Sequence, residues 1–232
     1  MFQGKAILQP APIVATGPLK LYRMKYHKSQ LDSNCARMKK KTIDGVDLDA
    51  VLKPETPLER KLLLDLEFRT GLGWGVPRFG HPEGEVYKHI REVLDNIDRL
   101  DIGNEERMKL RLITFVHDTF KHLEDKSYPR DWSKHHGVYA RRFIEKYTKD
   151  PVVLKIVELH DEAYYAWRHK HLYHQHREGG ERLQRLLDIM EDDIQLYYLF
   201  FKVDTQTGDK NQAPLKWFEM VVKEIEVVPE VW

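Results

Sequence analysis

Residues 110–121 read LRLITFVHDTFK, and the rest of the chain is read outward from them. The apolar run Leu112-Ile113-Thr114-Phe115-Val116 carries a helix, expected from Asn104 to about His122, into the protein interior. His117 and Asp118 then stand side by side, with Lys121 three residues on. Adjacent helical residues point about 100° apart, so both side chains can share one ion only if it sits between their directions. Burying an acid beside an imidazole is costly without a partner. A divalent cation is a suitable one, because it neutralises the carboxylate and accepts the imidazole lone pair. Alone, a His-Asp dipeptide says little.

The surrounding sequence has the same helical period. Thr56-Pro57-Leu58-Glu59 reads as an N-cap, a first-turn proline and a capping acid. Val86, Ile90, Val93, Leu94 and Ile97 share one face of a helix expected from about Glu83 to Leu100. Further helices are expected at about Ser133–Tyr147, Val152–His174 (behind Asp150-Pro151), Glu181–Val203 (after Gly179-Gly180) and Pro214–Ile225. No internal repeat and no strand-rich region interrupts them. The expected fold is mainly α, a helical bundle. Between helices, GLGWGVPRFGHPEG (residues 71–84) is a loop rich in Trp, Arg and His, and Arg78 and His81 there are candidates to shape a substrate entrance.

Residues 1–56 differ. Between Met1 and Lys41 nine basic residues meet one acid, Asp32, and Pro10, Pro12, Pro18 and Pro54 interrupt any long helix. The expected organisation is an irregular, basic N-terminal arm over 1–56 and a helical domain over 57–232. The run Arg37–Lys41 reads first as a solvated loop and second as a phosphate-contacting tail.

Composition narrows the function classes. The chain has 232 residues, 41% hydrophobic and 32% charged, with a formal charge of +1. That suits one sizeable core and disfavours duplex nucleic acid as the main partner, although the basic arm keeps a single-strand partner open. No apolar run approaches the roughly 18 residues of a membrane span. A single cysteine, Cys35, and a start with no basic leader region lead to the expectation of a cytoplasmic protein. Eleven of the twelve histidines fall between His81 and His176, among acids, which raises the expectation of a metal site. His169, His171, His174 and His176 are spaced two, three and two apart, do not share one helical face, and read as a solvated helix end.

Two more residues stand out. His89 borders the apolar face of its helix. Asp204 follows Tyr197-Tyr198-Leu199-Phe200-Phe201-Lys202-Val203, at a helix end where the macrodipole disfavours acids. In this order, His89 in GEVYKHIREV, His117-Asp118-x-x-Lys121 and Asp204 in FFKVDTQTG, the chain resembles the HD-domain metal-dependent phosphohydrolase superfamily over about residues 83–206.

The resemblance implies an HD-type helical bundle that binds metal through His89, His117, Asp118 and Asp204, with Lys121 on the substrate phosphate. Members with two ions take further ligands from positions that correspond to His136 and His160, and their Asp of the pair bridges both ions. His135 is the alternative to His136, which is preferred because Ala140 then takes the small position four residues on. Asp118 and Lys121 are the expected catalytic residues; Lys121, Arg141 and Arg78 the expected substrate contacts, with Arg142 and Lys202 as further anion candidates. Asp161, Glu162 and Glu85 are unranked candidates for proton transfer. Imidazoles and carboxylates suit one or two ions among Mn, Co, Ni, Fe, Zn and Mg. The implied activity is hydrolysis of a nucleotide or related small phosphate ester. The alternative is a dinuclear-iron oxygenase acting on a small polyol or phosphonate, since some relatives with the six-ligand set do this.

Overall fold

A computed structural model of the protein describes residues 42–229; the basic stretch 1–41 with its Arg37–Lys41 run, and Cys35, lie outside the described residues. The chain is mainly helical, as expected. A two-residue hairpin, β1 (Thr42–Ile43) and β2 (Val46–Asp47), leads into α1 (Leu48–Leu52). Leu48 and Leu52 are fully buried. The end of the stretch expected to be irregular is therefore part of the helical body. Helix α2 (Pro57–Leu62) starts at the expected capping box: Thr56 Oγ1 accepts from Glu59 N–H at 3.1 Å and Glu59 Oε2 from Thr56 N–H at 3.2 Å. Helix α3 (Leu66–Leu72) follows, with Asp65 as its N-cap.

The site is built on the next eight helices. These are α4 (Val86–Ile97), α5 (Asn104–Val116), α6 (His136–Ile144), α7 (Pro151–Leu159), α8 (Glu162–His171), α9 (His176–Met190), α10 (Ile194–Thr205) and α11 (Ala213–Val221). Helix α10 is apolar nearly all round, and Tyr197, Tyr198, Leu199, Phe200 and Val203 are buried, so it runs through the core. It packs against α4 and α5, while α6 pairs with α7 and α8 with α9. Gly71 lets α3 press on the turn after α5: a Cβ at this position would lie 1.7 Å from Thr119 O.

Several expected helix limits fall elsewhere, and the stretch expected as one helix over Glu181–Val203 is two, α9 and α10, parted by a 3₁₀ turn at Glu191–Asp193. Helix α5 stops at Val116, and Lys121–Leu123 continues as a 3₁₀ turn. Gly179-Gly180 does not end a helix but sits inside α9. A Cβ on Gly179 would meet Ala166 O at 2.8 Å, so this glycine serves close packing of α9 on α8. The expected helix from Val152 to His174 is broken at His160-Asp161. Here Tyr197 from α10 inserts its hydroxyl into the helical ladder. It accepts from Ala163 N–H at 3.0 Å and reaches the carbonyls of Leu159 at 3.2 Å and His160 at 3.0 Å. A side chain placed in the i to i−4 ladder is a recognised cause of such a break.

Candidate metal centre

His117 caps α5 and is fully buried. Its Nδ1 lies 2.9 Å from the carbonyl of Thr114, so Nδ1 carries the proton and donates. Nε2 is left with its lone pair, buried and without a hydrogen-bond partner. His160 is held the same way by the carbonyl of Val157 at 2.9 Å. His89 Nδ1 faces Glu83 Oε1 at 3.4 Å, and His136 Nδ1 faces Glu124 Oε2 at 3.3 Å. Four imidazoles thus turn Nε2 to a common centre and keep Nδ1 against a carbonyl or carboxylate, the outer support that metal-ligating histidines ordinarily have.

The carboxylates complete two donor groups. Asp204 Oδ1 lies 2.8 Å from His89 Nε2 and 3.5 Å from His117 Nε2. Asp118 Oδ2 lies 3.7 and 3.5 Å from the same two nitrogens. Its other oxygen, Oδ1, lies 3.3 Å from His136 Nε2 and 3.6 Å from His160 Nε2. Asp118 stands between the two groups and offers one oxygen to each. The groups His89–His117–Asp204 and Asp118–His136–His160 are each compact enough to hold an ion.

The residues fit a metal on two further counts. Asp118 Oδ1 is buried without a hydrogen-bond partner, like His117 Nε2, and both face the centre. The electrostatics also call for positive charge. Burial works against ionising Asp118, yet the His117 imidazole beside it and the Lys121 ammonium hold its carboxyl well below the usual range. Burial likewise opposes ionisation of Asp204, and Lys210, then His117 and His89, hold it low. Burial lowers His89 to about 4, leaving it neutral as a ligand must be. His160 goes the other way: burial is outweighed by Asp161 and Asp118, which lift it to about 9. Its extra proton belongs on Nε2, where a metal would otherwise bind.

His136, not His135, joins the centre, and hydrogen bonding gives the reason. His135 caps α6, and its Nδ1 accepts from Gly137 N–H at 3.1 Å. The His135 proton therefore sits on Nε2, next to the Tyr165 hydroxyl at 3.3 Å, and leaves no free lone pair. Lys121 lies over Asp118 and pairs with its Oδ2. The turn between α5 and the 3₁₀ segment accounts for this, since Lys121 N–H donates to the Asp118 carbonyl at 3.1 Å and brings the two residues together. Asp204 tolerates its helix end because Lys210 Nζ contacts its Oδ1 at 3.0 Å and its carbonyl at 3.0 Å, while the Asn96 amide donates to the carbonyls of Val203 and Gln206.

A cavity of about 270 Å³ opens onto Asp118, His160, Asp161 and Asp204, and is lined by Lys121, Lys210, His81, Phe79 and Tyr164 among others. The 71–84 loop therefore shapes the entrance through Phe79, Gly80 and His81. Arg78 is exposed and does not line the cavity. Neither does Arg141, which pairs with Glu158 at 3.2 Å. Arg142 is exposed, and Lys202 is buried on Glu219. Among the proton-transfer candidates, Glu85 pairs with Lys88 and Glu162 with Arg182, which leaves Asp161 at the cavity.

His171, His174 and His176 are exposed, and with His169 they join no potential ion-holding group among the described residues. Sequence reasoning missed Lys210, Glu83 and Glu124. The only signal for Lys210 was a lysine six residues past Asp204; Glu83 and Glu124 lie six and twelve residues from His89 and His136, in segments with no periodicity to align them. No helix among the described residues is long and apolar enough to cross a membrane. No protein-family model, curated protein or solved structure matches the chain.

Proposed function

We propose that this chain is an HD-type metal-dependent phosphohydrolase acting on a nucleotide or related small phosphate ester. One observation carries the reading: two His/Asp donor groups share Asp118, and the cavity above them is flanked by two lysines, Lys121 and Lys210. The order of the ligands along the sequence, His89, His117-Asp118, His136, His160 and Asp204, supports the same reading.

Divalent ions bound by these donors lower the pKa of water and stabilise charge on phosphoryl oxygen. The protein's own groups do the rest. Lys121 and Lys210 neutralise an incoming phosphate and orient it over Asp118 and Asp204. Phe79 and Tyr164 offer apolar surface to the remainder of the ester. The cavity volume favours a small substrate over a polymer.

The test is a screen of nucleoside mono- and triphosphates, cyclic nucleotides and simple phosphate esters with protein reloaded with Mn, Co, Ni or Mg. Phosphate, nucleoside or, from a cyclic nucleotide, the ring-opened monophosphate should appear without dioxygen, with oxygen from labelled water in the product. If none turns over, while iron-loaded protein consumes dioxygen with a polyol or phosphonate, the hydrolase reading fails.

A further inference from the structure

The break between α7 and α8 leaves a carboxylate that the ligand order does not use. Asp161 occupies the N-cap of α8, where an aspartate ordinarily accepts N–H groups of the first turn. Its side chain makes no capping bond. The carboxylate turns instead toward the imidazoles: Oδ2 lies 3.5 Å from His136 Nε2 and 3.7 Å from His160 Nε2. Those two nitrogens are 3.0 Å apart. Asp118 Oδ1 makes a second triangle with them, at 3.3 and 3.6 Å. Donors on one face of a tetrahedral or octahedral ion stand about 3.0–3.4 Å apart when each lies about 2.1 Å from it. Both triangles are close to that size, and they share the His136–His160 edge.

His135 adds an independent observation. Its Nδ1 is committed as an acceptor, so its Nε2 carries the proton, which faces Asp161 Oδ2 at 3.4 Å as well as the Tyr165 hydroxyl at 3.3 Å. A residue next to one ligand thus holds a neighbouring carboxylate in place, as outer partners of metal sites do.

We propose that Asp161 is a direct ligand of the ion held by Asp118, His136 and His160, oriented by His135. The proposal rests on the metal-centre reading of this site. It gives both positions the same donor set, two imidazoles and two carboxylate oxygens, with Asp118 common to both.

The test uses the metal-stripped full chain titrated with Co²⁺, followed by calorimetry and visible absorption. Wild-type protein should take up two equivalents. In Asp161→Ala and Asp161→Asn the first equivalent should bind as before, and the second should weaken by about tenfold or more. The absorption band of the second ion should also change shape at saturating cobalt, because a ligand has been exchanged. Should the alanine variant fail to fold by circular dichroism, the asparagine variant, of equal shape, decides. Two equivalents bound as in wild type overturn the assignment. So does a weaker second site with an unaltered band, which would place the carboxylate outside the coordination shell. Wild-type protein that takes up no cobalt removes the metal centre itself, a result separate from either of those.

Discussion

Asp118→Ala should abolish most of the thermal stabilisation that metal gives this protein. Among the described residues Asp118 is the one that offers an oxygen to each donor group, so the substitution reduces both at once. An ion at about 100 times its Kd stabilises the native state by about 2.7 kcal/mol, and two such ions by about 5.4 kcal/mol. For a chain of this length 1 kcal/mol corresponds to about 2–4 °C in Tm, so metal should raise wild-type Tm by about 10–20 °C. The variant should gain only a few degrees. The quantity to compare is the metal-induced shift within each protein. The variant is also weakened without metal, because Lys121 loses the carboxylate it pairs with. Melts by circular dichroism, with metal-stripped protein and with added Mn²⁺ or Co²⁺, give both numbers. A wild-type Tm indifferent to metal, or an equal shift in Asp118→Ala, would refute the reasoning.

Four further outcomes are expected. Lys121→Met should keep both ions but lose phosphate-ester turnover, with KM raised, since Lys121 faces the cavity; steady-state kinetics check this. Arg111→Met should cost about 3–5 kcal/mol in urea unfolding, because it strands the fully buried Glu59 carboxylate that Arg111 grips through Nε at 3.0 Å and Nη2 at 3.1 Å, and Glu59→Gln in the same chain should recover part of the loss. Asp65→Ala should cost about 1–2 kcal/mol near neutral pH by removing the N-cap of α3. Burial opposes ionisation of Asp65, but hydrogen bonds from Tyr147 and Phe68 N–H lower its pKa, so its contribution is full above about pH 4 and lost as pH falls through the lower folded value. The gap between wild type and variant should therefore narrow from pH 5 to pH 3. Gly71→Ala should destabilise by about 1–3 kcal/mol or more, read as a lowered urea midpoint, because its Cβ collides with the backbone beside Asp118.

The helical character and four of the donors, His89, His117, Asp118 and Asp204, read locally, whereas His136 and His160 entered only through the resemblance to two-ion members of a family. An apolar run that ends in His-Asp, a histidine on an apolar face and an acid at the wrong helix end are all visible in one stretch of residues. The choice of His136 over His135 was legible only as a preference. The reason for it, the bond from Gly137 N–H to His135, needs backbone geometry. Lys210 and the two outer glutamates could not be read, since each reaches its nearby partner across a turn or loop whose path no helical period foretells. Arg78 and Arg141 were named because arginine suits phosphate, but composition does not say which way a side chain faces. The break at His160-Asp161 was invisible for the same reason. Residues 152–174 read as one helix because nothing among them disfavours it, and the residue that opens the ladder, Tyr197, lies on another helix.

That Tyr197 contact bears on the order in which the molecule is made. A chain that has reached residue 174 can form an unbroken helix, on which His160 and Asp161 diverge. Only when α10 arrives does one phenolic oxygen replace the missing ladder bonds, and the same helix delivers Asp204 less than two turns later. The packing of α10 and the completion of the chelating cluster thus depend on the same helix. A ribosome-bound chain or proteolytic fragment that ends before residue 194 would hold five of the six donors and still lack the cage.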